Sequence, residues 1–210
     1  MLLIGYVGVL SHVALDWLNN YGVRLLMPFS SRWFYGDSVF IVDVWLWIAL
    51  GTGVYLARRR LRPGPAWGAL AVATVYIVAM VWLAGGARQH VLDDWSAEHG
   101  RAPRALMVGP VFANPLRKAV IVDAGDRYHT GAFTWVQQRV TYDDEVVPRL
   151  EDHPAVTRAR EDPHIRAVLT WARFPYFDVR PVEQNAWQVT VRDMRFGSRV
   201  GQVSVVVPER

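Results

Sequence analysis

AWGALAVATVYIVAMVWLAGG, Ala66 to Gly86, is a run of 21 residues without a charge. As a helix rising about 1.5 Å per residue it is long enough to cross a hydrocarbon core of about 30 Å. The chain is therefore read as a membrane protein, and the remaining segments are placed around this span. Upstream, VFIVDVWLWIALGTGVYLA (Val39 to Ala57) predicts a second span, weakened by Asp43 near its start and supported by Trp45, Trp47 and Tyr55 toward its ends. Leu2 to Leu18 predicts a third apolar helix, interrupted by His12 and Asp16.

The whole chain is 52% hydrophobic and 20% charged, too apolar for an ordinary soluble domain and too charged for a pure membrane bundle. A composite follows: residues 1–86 as a membrane region of about three apolar helices, and residues 87–210 as an extracytoplasmic α+β domain with a small antiparallel sheet. Arg58-Arg-Arg-Leu-Arg62 followed by Pro-Gly-Pro is a tight basic turn, which the positive-inside rule puts in the cytoplasm. The loop from about Trp17 to Ser38 and everything after Gly86 then face outward, as expected of a multi-pass membrane protein. Residues 1–86 hold six Arg against three Asp, so the basic excess orients a membrane protein and does not describe a nucleic-acid surface. No cysteine is present, so a metal would use nitrogen and oxygen ligands. The first residues lack a positive n-region and a small-residue cleavage site, so they are not read as a signal peptide.

In the tail, Ala87 to Gly100 predicts a helix leaving the membrane with Gly100 as its C-cap. Alternating β-branched and aromatic residues then predict about five strands, at Ala105 to Phe112, Lys118 to Val122, Ala132 to Val136, Trp187 to Arg195 and Gly201 to Val207, with turn signals that include Phe196-Gly-Ser198. His153 to Trp171 predicts one or two short helices started by Pro154 and Pro163. His90, His99, His129, His153 and His164 show no zinc-type spacing and read as surface or turn residues. Asp143-Asp144-Glu145 reads as a solvated loop.

The chemistry is sought in Ser11-His-Val-Ala-Leu-Asp-Trp-Leu-Asn-Asn-Tyr-Gly22. His12 and Asp16 are four residues apart, so they share one helical face. Two ionisable groups in apolar surroundings are costly unless they pair, face a bundle interior or hold a cation. The pair is either half of a metal site or a satisfied hydrogen bond near a helix end, and two residues alone leave both readings open. Arg32 is likewise open, as an anion clamp beside the site or, with Trp33 and Tyr35, as an interfacial anchor.

The order Ser11-His12-x3-Asp16, Tyr21-Gly22, Pro28-Phe29-Ser30 with Arg32, and Phe40-Ile-Val-Asp43, all leading into transmembrane helices, resembles the YdjM-type family of membrane-bound metal-dependent hydrolases. Pro110-x3-Asn114-Pro115-Leu116-Arg117, Asp126-x-Tyr128-x2-Gly131 and Arg173-Phe174-Pro175-Tyr176 look like that family's sheet domain. The resemblance implies His12 and Asp16 as ligands of a divalent metal, with zinc the expected ion. Asp43 would be third ligand or general base, Asp37 a weaker ligand candidate, and Arg32 the stabiliser of a substrate anion. Family members typically carry further helices with a His-Arg-Gly-x-Thr-His-Ser-like segment upstream, so the chain reads as a short or N-terminally truncated member. The implied reaction is hydrolysis of a phosphoester or lipid-like substrate at the external face of the bilayer. The competing reading is a non-catalytic membrane protein whose C-terminal domain binds an envelope component or protein partner.

Overall fold

The computed structural model describes residues 2–182, 185–197 and 201–209. Its elements run α1 (Leu2–Leu18), α2 (Val44–Arg60), α3 (Gly64–His99), β1 (Ala105–Val111), β2 (Asn114–Asp123), β3 (Arg127–Thr134), β4 (Arg139–Pro148), α4 (Pro154–Ala159), α5 (Pro163–Trp171), β5 (Pro175–Val182), β6 (Ala186–Asp193) and β7 (Val203–Pro208). They fall into two compact units, one made of Met1–Ala102, Met107–Val120 and Gly131–Thr141, the other of Pro103–Leu106, Ile121–Thr130 and Tyr142–Arg210.

Helix α3 is the backbone of the first unit. Its 36 residues extend about 54 Å at about 1.5 Å per residue, well beyond a hydrocarbon core of about 30 Å. The charge-free span and the polar segment after Gly86 are one continuous rod, because no proline interrupts them. Gly100 ends it in the left-handed conformation (φ 68°), its N–H donating to Ser96 O at 2.9 Å. Among the described residues α3 is the one helix long and apolar enough to cross a membrane by length and composition, where the sequence predicted about three. Helix α1 is apolar but has 17 residues, and α2, also 17 residues, closes in Arg58, Arg59 and Arg60.

Asp43, expected inside the second span, begins it instead. Its Oδ1 accepts from the backbone N–H of Trp45 (3.0 Å) and Leu46 (3.2 Å), an N-cap that satisfies donors the helix leaves open. Helix α2 then packs on α3 through Gly53, where a Cβ would run into Ala69 and would lie 3.0 Å from Pro65 O. Leu18, Val39 and Met80 form a small core with Leu46, Tyr76, Ile77 and Leu83 around it.

The second unit packs α4 and α5 on an antiparallel sheet of β5, β6 and β7 in that order. Ala155, Val156, Ala159, Ile165, Phe177, Val189 and Val191 are its buried core. Both helices start with proline at a first-turn position, after the N-caps His153 and Asp162, as their spacing predicted. Asp162 accepts from two backbone N–H groups and a His164 contact, which hold its carboxyl below the usual value. Strands β1 to β4 form a second sheet in chain order.

Among the described residues seven strands are present where about five were expected. Strand β4 contains Asp143, Asp144 and Glu145, read from sequence as a solvated loop, and all three are exposed. It is the last strand of its sheet, where charge suits an edge. Strand β5 begins and nearly ends in proline, at Pro175 and Pro181, a pattern that weakens any strand reading. Ser198 of the predicted Phe-Gly-Ser turn lies outside the described residues.

Candidate functional site

The i, i+4 spacing in α1 brings His12 Nε2 to 3.3 Å from Asp16 Oδ2. Both side chains stay open, 79% and 43% exposed, so the pair is not a buried structural contact. They line a groove of about 660 Å³ within the first unit. Two further polar residues, Asn19 and Asp43, line it, and the rest of the wall is mostly apolar, with Leu15, Phe40, Leu46, Trp47, Leu50 and Val54. The groove is amphiphilic: a long apolar wall with a small set of polar groups.

Helix α1 stops at Leu18, as the sequence predicted. Asn19 is the reason, since its Oδ1 accepts from Tyr21 N at 2.7 Å and Gly22 N at 3.4 Å, a local turn that competes with the helix. Gly22 still takes the left-handed conformation (φ 85°), and a Cβ there would collide with the Tyr35 ring.

Asp43 faces two ways. It borders the groove and also a second, small cavity of about 10 Å³ whose lining includes Ser38, Tyr76 and Lys118. Its Oδ2 accepts from Tyr76 Oη at 3.0 Å. Lys118 of β2 is fully buried, and its Nζ has no hydrogen-bond partner among the described residues. Burial pushes its ammonium down to about 8, against the opposing pull of the Asp43 charge. That cavity has room for about one water and none for a substrate, so the groove is the candidate substrate site. Tyr76 and Lys118 were missed from sequence: the first is a lone hydroxyl in an apolar span, the second a lysine at an inward position of a strand. Their link to Asp43 is non-local, so no local pattern in the sequence singles them out.

His12 and Asp16 fit two adjacent ligand positions. Atoms bound at about 2.0–2.2 Å to one tetrahedral ion lie roughly 3.3 Å apart, which matches the Nε2–Oδ2 separation. Among the described residues no group of three His, Cys, Asp or Glu gathers to complete a shell. Two such atoms would make half of a tetrahedral shell.

The remaining candidates sit elsewhere. Arg32 does not line the groove; its guanidinium lies over the Phe34 ring at 5.3 Å. Asp37 is buried with φ 49°, its backbone N–H donating to Asn19 O at 3.4 Å. Among the tail histidines, His153 caps α4 and His99 stacks on Trp95 with ring centroids 3.7 Å apart. His164 contacts Asp162, and His90 packs against Phe133 and Trp135.

No curated protein and no solved structure matches the chain. Residues 1–87, the helical region that carries His12, Asp16, Arg32 and Asp43, match the model of the YdjM inner membrane protein family, and that part of the chain is similar to the family.

Proposed function

We propose that the chain is a membrane-bound hydrolase acting on a phosphoester or lipid-like substrate at the external face of the inner membrane, with His12 and Asp16 holding a divalent metal, zinc in the first instance. The amphiphilic groove carries this reading. A lipid-like molecule needs an apolar wall for its chain and a few polar groups for its head, and His12, Asp16, Asn19 and Asp43 stand against such a wall. When bound, a divalent ion would supply a water acidic enough to attack at neutral pH and a positive charge for a phosphoryl oxygen.

The side chains have distinct roles in this proposal. His12 and Asp16 hold and orient the cation, which open, adjacent nitrogen and oxygen atoms suit. Asp43 is the general base. A carboxylate oxygen offers about two acceptor positions, and Oδ2 spends one of them on Tyr76, so a position remains toward the groove. The tight N-cap holds that carboxylate in place. The membrane arrangement belongs to the same proposal: α3 spans, the Arg58 to Arg62 turn is cytoplasmic, and the tail is external. A reporter fused after Arg210 that is active only in the cytoplasm would overturn this orientation.

The second reading, a non-catalytic membrane protein whose tail binds an envelope component, draws on the incomplete ligand set. Hydrolysis of a model phosphoester by the detergent-purified chain with added zinc separates the two. The hydrolase reading predicts turnover that His12→Ala and Asp16→Ala abolish and His164→Ala leaves intact. Absence of turnover in the unaltered chain favours the binding protein, and equal turnover in all variants overturns the roles given to His12 and Asp16.

A further inference from the structure

Residues 23–34 form a closed loop that presents large apolar side chains outward. Its neck is a two-bond bridge, Val23 N donating to Phe34 O at 3.0 Å and Phe34 N to Val23 O at 2.9 Å, and Ser30 N donates across the tip to Leu26 O at 2.9 Å. Gly36 N and Ser38 N donate to Trp17 O and Leu18 O, tying the neck to the end of α1. At position 36 a Cβ would lie 2.7 Å from the Leu18 backbone, so glycine permits this close seat. The backbone is thus well satisfied. Yet Leu25, Leu26 and Met27 are about half exposed and Phe29 is 94% exposed.

Four large apolar side chains on one short hydrogen-bonded loop are costly in water and favourable where water ends. The flanks say which apolar phase they meet. Arg24 lies over the Trp33 ring at 4.7 Å and Arg32 over Phe34 at 5.3 Å, and no acidic residue occurs from Arg24 to Gly36. An apolar tip between aromatic-backed arginines matches a bilayer interface, where acyl chains begin beneath a layer of phosphates. Helix α1, to whose end the neck is tied, also exposes large apolar side chains, among them Leu2, Leu3, Ile4 and Leu10.

We propose that the loop is an interfacial anchor, inserting Leu25, Leu26, Met27 and Phe29 among acyl chains while Arg24 and Arg32 bind the phosphates of anionic lipid headgroups. Arg32 thereby acts on the membrane surface, and the inference holds whether or not the groove hydrolyses anything.

The chain has no cysteine, so a single environment-sensitive dye can be placed at will. Full-length Phe29→Cys, dye-labelled and reconstituted in phosphatidylcholine vesicles containing phosphatidylglycerol, should show a blue-shifted emission that lipids with quencher groups on their chains reduce several-fold. The same label at Val206→Cys, exposed on β7, should stay water-like and unquenched. Arg24→Ala/Arg32→Ala in the labelled chain should abolish the difference between vesicles with and without phosphatidylglycerol. Met27→Cys serves as the label site if Phe29→Cys fails to fold. A loop label as wet as the Val206 one overturns the proposal. A label shielded but untouched by lipid quenchers does so too, because a second copy or another protein would then cover the loop. An unchanged phosphatidylglycerol effect in the double variant overturns the headgroup role.

Discussion

The second unit buries its charges in closed pairs, and the first leaves them open. Asp193 and Arg195 are both fully buried and meet at 2.8 Å, and Asp193 also accepts from the backbone N–H of Arg173 and Arg195. Arg149 joins Asp123 at 2.7 Å in a comparably buried pair and also bonds Glu151. In the first unit Lys118 is just as buried with no hydrogen-bond partner for its ammonium, and His12 and Asp16 stand exposed on a groove. A charge held against an opposite charge specifies structure, whereas one with positions to spare is available to a ligand. The proposed chemistry uses the open charges of the helical side.

Breaking a closed pair should have the largest effect. Asp193→Ala strands the Arg195 guanidinium and should lower stability by about 3–5 kcal/mol, read from denaturant unfolding of the detergent-purified chain. Lys118→Met should act in the opposite sense, because it removes a buried charge whose ammonium has no hydrogen-bond partner among the described residues. The pH dependence follows with a definite sign. Lys118 is held at about 8 in the folded chain against an ordinary 10.5, so the unfolded chain binds more protons between those values. Stability should therefore be lowest below pH 8 and rise by up to about 3 kcal/mol toward pH 10.5. Lys118→Met should flatten that rise, and an equal rise in the variant would assign it to another group.

Smaller effects sharpen the comparison. Asp43→Ala removes the α2 cap and should cost about 1–2 kcal/mol of stability, together with the acceptor of the Tyr76 hydroxyl. His12→Ala should change stability least, by under about 1 kcal/mol, since an exposed ion pair contributes little. A large loss of stability on His12→Ala, measured in the same unfolding assay, would make the pair structural and remove the contrast.

What the sequence revealed depended on distance along the chain. The His12–Asp16 contact was legible because helical spacing alone makes i and i+4 neighbours. The helix starts at Pro154 and Pro163 and the Gly100 cap were equally local. Asp43 was placed within a span because its apolar neighbours dominated the pattern, while its capping bonds to Trp45 and Leu46 set the true start. The Asp43–Tyr76 bond and the approach of Lys118 join residues 33 and more positions apart, and no periodicity encodes them. Strand β4 was hidden because an edge strand tolerates acidic residues that elsewhere mark a loop.

Zinc content after extensive dialysis of the detergent-purified full-length chain is the most direct test of the His12–Asp16 site. The account predicts about one retained ion in the unaltered protein, a loss in His12→Ala and in Asp16→Ala of more than the roughly 10–100-fold in affinity typical of changes beyond the direct ligands, and no loss in His153→Ala. Equal retention in all four proteins, or none in any, would contradict it.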